Sequence, residues 1–390
     1  MRITHSMVMF GLCSGLLFVL LTLNGFLISI RAPLKMMLLS VRVRPSAIPI
    51  TSSSSSDRFV YSDERKKLYP DYEKERSYER YLGRLKGSLL SYSVQERRCF
   101  EETKGDCLSY NKIESKYATN KYKEEDLHLE VPDHVQVLIN GKYCEDTKIV
   151  VGIVTAPFQF AERFAIRNSW CKESHHGVKG VRCYFYSGMT SHPSDNAFLQ
   201  QEASLYNDIV QFDIADTYLN LTILQLQSFN WTMNHCPSMK FYVRTDADMF
   251  VNLNTVANRI IPSMPSSFAY GHVFRGAKPF RDPNHKYYLP YSVYSQPFFP
   301  PYISGCMCIL SRDVLQTIVE GSETVRPIHY LDDAYYGQIM DRYGVLIVDD
   351  KKYISVNQLP LNEVLNGNYA AVHRFSPVDL IVIDSFRQGK

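Results

Sequence analysis

Short apolar runs alternate with amphipathic segments from residue 135 to the carboxyl terminus. The runs are rich in β-branched and aromatic residues, which predicts buried strands at 148–154, 181–186, 208–212, 240–245, 268–272 and 345–348. Helices are predicted over 311–320, capped by Ser311 and ended by Gly321, and over 332–343. Strands that alternate with helices indicate an α/β domain with a mixed, mainly parallel sheet flanked by helices.

The amino-terminal region contains a second apolar feature. Residues 7–30 include no Asp, Glu, Lys, Arg or His, and a helix of that length spans a bilayer core of about 30 Å. The run is longer than the apolar region of a cleaved signal peptide. We therefore predict a cytoplasmic tail at 1–6 and a transmembrane signal anchor at 7–30.

The next hundred residues resemble a tether. Residues 51–56 are a Thr-Ser run that cannot bury a core, and 57–130 are dense in Lys, Arg, Glu and Tyr without a sustained apolar stripe. We interpret 31–134 as a stem and 135–390 as the catalytic domain. A small helical subdomain packed on that domain is the alternative for part of the stem.

Cysteines and glycosylation motifs indicate on which side of the membrane the catalytic domain lies. Eight cysteines lie outside the apolar run, an even number that suits an oxidising lumen: Cys99, Cys107, Cys144, Cys171, Cys183, Cys236, Cys306 and Cys308. Asn220 and Asn230 each begin an Asn-x-Thr acceptor motif. The greater density of Lys and Arg after the apolar run favours the opposite, cytosolic orientation. We expect the lumenal one, with a cytosolic protein that keeps free thiols as the alternative.

Charge restricts the partners. The chain has 43 Lys and Arg against 40 Asp and Glu, a formal net charge of +3. That value is too small to indicate nucleic acid as a partner.

The local sequence that most clearly indicates chemistry is Asp246-Ala247-Asp248, which follows the apolar run at 240–245. Open α/β sheets bind ligands outside the carboxyl ends of their strands. Oxygen ligands at this spacing suit Mn²⁺ or Mg²⁺ with positions left for phosphate oxygens, as a nucleotide-sugar donor requires. An acidic turn after a strand is the alternative.

A series of further motifs accompanies this triplet in order. They are Ile139-Asn140 with Cys144, Arg163-Phe-Ala-Ile-Arg167-Asn-Ser-Trp170, Glu202 with Tyr206-Asn-Asp-Ile209, Asp213 with Asp216-Thr-Tyr218-Leu-Asn-Leu-Thr222, Trp231 with Cys236-Pro237, Pro300-Pro-Tyr-Ile-Ser304-Gly305 with Leu310-Ser311, Asp332-Asp333-Ala-Tyr335-Tyr-Gly337, and Val372-His373-Arg374. Together they resemble the β-1,3-galactosyltransferase family, glycosyltransferase family 31, over almost all of 135–390. The chain departs from the family pattern at Ser169 for Thr, Leu224 for Lys, Ala247 for the middle Asp of DDD, and Asp332 for Glu.

The resemblance implies a GT-A-like, Rossmann-like fold and a donor site. It implies that Asp248 and His373 bind the metal and that Asp246 contacts the ribose or uridine side of the donor. Arg163 and Arg167 are candidates to face the diphosphate, with salt bridges that hold the domain together as their alternative role.

The resemblance also assigns the reaction. Asp333 is the expected general base and, with an ordinary pKa of about 3.9, should be charged at Golgi pH; a helix cap is the alternative. Ser304 and Gly305 should lie where the acceptor or donor sugar approaches. The Tyr- and Pro-rich residues 286–302 are the expected acceptor wall.

These implications describe an inverting, lumenal Golgi type II membrane enzyme. Its expected partners are a UDP-sugar donor, by resemblance UDP-galactose, a glycan of a glycoprotein or glycolipid acceptor, and the Golgi membrane. N-acetylhexosamine transfer by the same family, an inactive relative that acts as partner or chaperone of a transferase, and a cytosolic membrane-tethered binding protein are the alternatives.

Overall fold

A computed structural model describes residues 10–13, 16–23, 26–33, 132, 135–142, 144–350, 352–366 and 369–388. The chain divides into two units, Met1–Tyr69 and Pro70–Lys390. The predicted tail at 1–6 and almost all of the predicted stem, with Cys99 and Cys107, lie outside the described residues.

The described residues of the first unit form three antiparallel strands, β1 (Phe10–Cys13), β2 (Leu16–Leu23) and β3 (Phe26–Pro33). The prediction of one helix over 7–30 is therefore wrong for these residues. Apolar character alone does not separate a helix from strands, and Ser14-Gly15 and Asn24-Gly25 are dipeptides that favour tight turns. Among the described residues, no helix has both the length and the apolar character needed to cross a membrane.

The second unit contains an eight-stranded sheet in the order β12-β10-β11-β8-β5-β6-β7-β4 and a small sheet in the order β13-β14-β9. The strands are β4 (Val137–Ile139), β5 (Ile149–Val154), β6 (Val181–Met189), β7 (Ile209–Ala215), β8 (Phe241–Asp246), β9 (Phe250–Val251), β10 (Ala269–Phe274), β11 (Tyr302–Ser311), β12 (Ile347–Asp349), β13 (Ile354–Ser355) and β14 (Ala371–Val372). Each of the six predicted strands is present, with ends shifted by a few residues. The long strand β11 and the small sheet were not predicted.

The large sheet is mixed. Strands β8, β5, β6 and β7 pair in parallel, as do β10 and β12, whereas β11 runs antiparallel to β8 and β10, and β4 runs antiparallel to β7. The carboxyl ends of β5, β6, β7 and β8 therefore meet at one edge of the sheet.

Helices cover both faces of the sheet. They are α1 (Phe160–Asn168), α2 (Glu173–His176), α3 (Pro193–Tyr206), α4 (Leu221–His235), α5 (Arg312–Gly321), α6 (Asp332–Arg342), α7 (Leu361–Asn366) and α8 (Pro377–Gln388), with short helical turns at Tyr218–Asn220, Leu253–Thr255, Val256–Ile260 and Ile261–Ser263. One core contains Val151, and the other contains Val150, since successive strand residues face opposite sides.

Both predicted helices are present as α5 and α6, but Ser311 does not cap α5 with its side chain. Its hydroxyl instead accepts a hydrogen bond from the backbone N–H of Phe268 at 3.1 Å. Ser311 is the last residue of β11, so its hydroxyl joins the strand to the neighbouring loop.

Among the described residues of the second unit, two disulfides join separate elements. Cys144 after β4 pairs with Cys236 at the end of α4, and Cys171 pairs with Cys183 in β6. Cys306 and Cys308 in β11 are free thiols.

Arg163 and Arg167 are held by carboxylates inside the domain. Arg163 is completely buried, and each of its N–H groups has an acceptor: Glu202, the Thr155 hydroxyl and the carbonyls of residues 156 and 157. Arg167 pairs with Glu202 and, through two bonds of 2.7 Å, with Asp208. Arg163 therefore has no N–H group left for a diphosphate, and both arginines make the contacts expected of the alternative, structural role. One helical turn between the two arginines brings both to Glu202.

Glu202 is the shared partner, and its removal should destabilise the domain. Burial alone would raise the pKa of Glu202, but Arg163 and Arg167 lower it below its ordinary value. Its stabilising contribution is therefore present at neutral pH and is lost as the pH falls through the folded-state pKa.

We predict that Glu202→Gln lowers the free energy of unfolding by about 3 to 5 kcal/mol, because it leaves buried guanidinium charge uncompensated. Denaturant unfolding at neutral pH measures the change, with Glu323→Gln at an exposed position as the control. Equal stability of the two variants would show that the network is not needed for folding.

Candidate active site

The carboxyl end of β8 places two carboxylates beside each other in space. Asp246 ends the strand and is half-buried, whereas Asp248 is buried at 4% exposure. Ala247 between them is buried in the apolar core. Because position 247 faces the core, Ala247 in place of the family's middle Asp does not take a carboxylate away from the cluster.

The small sheet brings His373 to this position. Strand β14 pairs with β9, which follows Asp248, and the Phe375 N–H donates to the Asp248 carbonyl at 2.9 Å. Arg374 adopts a left-handed φ of 72°, an uncommon conformation for a residue other than glycine. The turn leaves the His373 Nε2 atom 3.1 Å from Asp248 Oδ2, while the Nδ1 atom lies 3.3 Å from the Val356 carbonyl.

Asp246, Asp248 and His373 have the composition and spacing of a cation site. One ligand atom from each lies within 4.8 Å of the others. The buried Asp248 Oδ2 has no well-formed hydrogen bond among the described residues, and it faces this cluster. Two carboxylates and an imidazole suit Mn²⁺, and the Val356 carbonyl would fix the ring. The residues therefore fit a divalent metal.

Electrostatics favour a cation here as well. Burial raises the pKa of Asp246 to about 6, despite the neighbouring Arg244 guanidinium. Burial alone would lower the pKa of His373, but Asp248 raises it above its ordinary value. A divalent cation between these groups would stabilise both carboxylates and displace the proton from the imidazole.

Asp246, Asp248 and His373 form the candidate cation site, here called the cation cluster. Arg244 connects it to a second acidic pair, Asp332 and Asp333. Its side chain is buried in β8, with Nη2 3.0 Å from Asp332 Oδ2 and 3.5 Å from Asp246 Oδ1. Its Nε donates to Gln225 Oε1 at 3.3 Å. Asp332 and Asp333 begin α6, so the ion pair joins this helix to the central strand.

Asp333 is positioned by backbone donors. Its Oδ2 accepts the Gly305 N–H at 3.2 Å, and its Oδ1 accepts the Ala334 N–H at 2.8 Å. Residue 331 occupies the N-cap position of α6, so Asp333 is not the cap. Burial, with the Asp332 charge, raises the pKa of Asp333 to about 7. The expectation of an ordinary, fully charged carboxylate is therefore wrong, because the site is desolvated and holds a like charge.

The predicted sugar contacts lie in β11 next to these groups. Gly305 is close to the guanidinium, since a Cβ atom there would lie 2.7 Å from Arg244 Nη1. The Ser304 hydroxyl is buried and contacts the Cys306 thiol at 3.3 Å. The structure thus brings Gly305 to the acidic pair and turns Ser304 toward a neighbouring side chain.

Aromatic rings lie near the same region, some of them from the predicted acceptor wall at 286–302. Tyr218 stacks on Tyr330 with ring centroids 5.5 Å apart and lies 6.5 Å from the Tyr287 ring. Burial, with smaller effects from Tyr287, Asp332 and Asp333, raises the pKa of Tyr218. Gly337 of α6 allows close contact with Tyr302, because a Cβ atom there would lie 2.4 Å from the Tyr302 Cβ. Tyr218, Tyr287 and Tyr302 are partly exposed and could stack on a sugar, whereas Tyr330 is buried.

The two glycosylation motifs differ in accessibility. Asn230 is exposed on α4, whereas Asn220 is half-buried and its amide donates to the Ala215 carbonyl at 2.9 Å.

Sequence reasoning missed Arg244 and Gln225. The available signal was a basic residue inside an otherwise apolar run, two positions before the acidic triplet. A buried arginine requires acidic partners, which the carboxylates at 246, 332 and 333 supply.

We predict that Asp248→Ala abolishes Mn²⁺ binding while the fold stays intact, because it removes a buried ligand and little core volume. Calorimetric titration with Mn²⁺ measures the binding, and Asp341→Ala, at an exposed position of α6, controls for loss of charge. Retained Mn²⁺ affinity in Asp248→Ala would place the cation elsewhere.

Comparisons with known proteins agree with these motifs. Residues 161–351 match the model of the family described as galactosyltransferase. The lactosylceramide 1,3-N-acetyl-beta-D-glucosaminyltransferase of Rattus norvegicus is 31% identical over 262 residues, which cover 64% of this chain and 69% of that protein. The beta-1,3-galactosyltransferase 2 of Homo sapiens is 29% identical over 260 residues, or 64% of this chain and 61% of that protein.

Among solved structures, the galactosyltransferase LgtC is similar with a TM-score of 0.33 and 10% identity, over 62% of this chain and 95% of LgtC. The sequence matches extend through the strand that ends at Asp246 and the helix that carries Asp333. The chain belongs to the galactosyltransferase family, glycosyltransferase family 31.

Proposed function

We propose that this protein is an inverting, metal-dependent transferase that moves a hexose from a UDP-sugar to a glycan and forms a β-1,3 linkage. The observation that carries this proposal is the position of Arg244 between two groups. The cation cluster lies on one side, and Asp333, a carboxylate with a raised pKa, follows the Asp332 partner on the other. One side suits a diphosphate leaving group with its metal. The other provides a base for an acceptor hydroxyl.

In this proposal the acceptor oxygen attacks the anomeric carbon as the bond from that carbon to UDP breaks. Asp333 takes the acceptor proton, and Gly305 N–H and Ala334 N–H hold the carboxylate in place. A pKa near the working pH suits a general base, since the group is deprotonated in many molecules yet still basic. A single displacement inverts the anomeric centre, so an α-linked donor yields a β-linked product.

Asp246, Asp248 and His373 would hold Mn²⁺, or Mg²⁺ in its place. When bound, the cation would offset the charge that develops on the departing diphosphate. Asp246 would also approach the ribose side of the donor. The carboxylates keep this function without a middle acidic residue, because position 247 faces the core.

Two donor sugars have support. Galactose follows the family resemblance and the name of the human relative. N-acetylglucosamine is favoured by the rat relative, which is named for that transfer to lactosylceramide. We propose galactose as the first candidate and N-acetylglucosamine as the second. A donor-hydrolysis screen with UDP-galactose, UDP-N-acetylglucosamine and UDP-N-acetylgalactosamine distinguishes them.

The acceptor would be a glycan of a glycolipid or glycoprotein. Tyr218 and Tyr302 offer aromatic surfaces near Asp333, whose charge acts on both phenols. Tyr287 lies beside Tyr218, and the Lys286 ammonium lies over these two rings at 5.1 and 5.3 Å. Stacking on apolar sugar faces would orient the acceptor hydroxyl toward the carboxylate.

For location, we propose the Golgi lumen at the membrane, with 31–134 as stem and 135–390 as catalytic domain. The disulfides Cys144–Cys236 and Cys171–Cys183 support an oxidising compartment. Endoglycosidase treatment of the protein from cells tests the lumenal location. A lumenal chain should carry a glycan at Asn230, and removal of that glycan should lower its mass. An unshifted band would support the cytosolic alternative.

The inactive-relative alternative predicts no metal-dependent nucleotide binding. We expect UDP to bind in Mn²⁺ and to bind much more weakly after chelation, as measured by calorimetry. Equal UDP affinity with and without Mn²⁺ would favour the alternative that the protein is an inactive relative.

We predict that Asp333→Asn lowers turnover by about 10²-fold or more while UDP affinity is nearly unchanged, because the amide keeps the size of the side chain but cannot accept a proton. Turnover and UDP affinity should be measured on the same preparation. Full turnover, or a parallel loss of UDP binding, would remove Asp333 as the base.

We also predict that kcat/KM rises with pH through about 7, the pKa of Asp333 in the free protein. The sign follows because only the deprotonated carboxylate accepts the proton, so activity is lost as the pH falls below this value. A pH series with saturating Mn²⁺ measures it. A profile that stays flat from neutral pH into the acid range would show that Asp333 does not titrate as the base.

A further inference from the structure

Arg244 has one nitrogen that the protein does not use. Its Nε and Nη2 contact Gln225 and Asp332, but the buried Nη1 has no hydrogen-bond partner among the described residues. The side chain as a whole is 4% exposed. A buried N–H without an acceptor is costly, so the presence of one at a ligand site indicates an acceptor that arrives with the ligand.

Gly305 places only backbone atoms against this nitrogen. A Cβ atom at that position would lie 2.7 Å from Nη1, so any other residue would press on the guanidinium. Gly305 also donates its N–H to the base Asp333. The glycine therefore keeps side-chain atoms of β11 away from the Arg244 nitrogen.

The position of this nitrogen identifies the part of the donor it would face. Arg244 lies between Asp246 of the cation cluster and Asp332 next to the base. In the reaction proposed above, the transferred sugar must lie between the diphosphate held at the cation and the acceptor hydroxyl held at Asp333. Atoms of that sugar are the acceptors closest to this region.

We propose that Arg244 Nη1 donates a hydrogen bond to an oxygen of the transferred sugar, so that Arg244 is a donor-sugar binding residue as well as the partner of Asp332. This inference rests on the proposed function. Hydroxyl and acetamido oxygens are both acceptors, so the contact recognises the hexose ring without selecting between galactose and N-acetylglucosamine.

The test separates affinity for the sugar from affinity for the nucleotide. UDP and UDP-galactose are titrated in Mn²⁺ against the wild-type chain, Arg244→Lys and Gly305→Ala, with UDP-N-acetylglucosamine as a third ligand. Lysine keeps a positive charge near Asp332 but lacks the second guanidinium nitrogen. Alanine at 305 keeps the arginine and presses a methyl group against its Nη1, so it supplies an answer if Arg244→Lys does not fold.

We expect both variants to lose about 10- to 100-fold in affinity for the UDP-sugars, the range for a hydrogen bond from a charged donor, while their affinity for UDP stays close to that of the wild type. Arg312→Lys is the matched control. Arg312 is a partly buried arginine whose guanidinium donates to the carbonyls of Cys236 and Met233, away from the site, and its variant should keep the wild-type ratio of affinities.

An unchanged ratio of UDP-sugar to UDP affinity in Arg244→Lys and Gly305→Ala would overturn the inference and leave the proposed function standing. Parallel loss of UDP and UDP-sugar affinity would also overturn it, because Nη1 would then act on the nucleotide or on the cation cluster. A wild-type chain that binds none of these ligands in Mn²⁺ would overturn the proposed function itself.

Discussion

The ion pair between Arg244 and Asp332 joins the central strand of the sheet to the helix that carries Asp333. Four carboxylates, at 246, 248, 332 and 333, lie near the carboxyl end of β8, and like charges so close together oppose folding. The guanidinium offsets part of this repulsion because it contacts one carboxylate of each pair, at 3.0 and 3.5 Å. Burial, together with the remaining excess of negative charge, raises the pKa values of Asp246 and Asp333 and makes the region suited to a divalent cation.

The order of the strands determines which loops can reach this centre. Strands β5 and β8 pair in parallel, so their carboxyl ends lie together, while β11 enters antiparallel to β8 and places Gly305 across from the same end. The second contribution comes from a distant part of the sequence, because β14 pairs with β9 and brings His373 to Asp248. The site thus depends on two long-range pairings, that of β11 with β8 and that of β14 with β9.

The sequence predicted those features that have a local signature. Apolar runs located the strands β5, β6, β7, β8, β10 and β12, and the run that ends in Asp246 indicated the edge where ligands bind. Strand β11 was missed because its apolar residues are interrupted by Ser304 and Gly305 and preceded by prolines, which resemble a loop. The helix over residues 7–30 was predicted from hydropathy alone, which does not distinguish a single helix from short strands separated by turn dipeptides.

The site residues also divide into properties that the sequence indicated and properties that only the fold shows. Family resemblance placed Asp248, His373 and Asp333 together, although no local pattern joins residues so far apart in the chain. It did not give the pKa of Asp333, because that value depends on burial and on Asp332, which are properties of the folded structure. The sequence also left the role of Arg163 open between a diphosphate contact and a structural salt bridge, since only the fold shows that Glu202, 39 residues away, accepts its hydrogen bonds.

The contrast between Arg163 and Arg244 gives a physical criterion for separating structural from functional buried arginines. Both are buried and both pair with carboxylates, so burial and charge do not distinguish them. Their hydrogen bonds distinguish the two arginines. Each N–H group of Arg163 has an acceptor, whereas Arg244 Nη1 has none among the described residues. A network that exists for stability gains from satisfying every donor, and a donor left unsatisfied beside a glycine lowers stability unless a ligand completes it. The protein therefore tolerates this cost at the strand end where it would bind its donor, and it avoids the cost at Arg163.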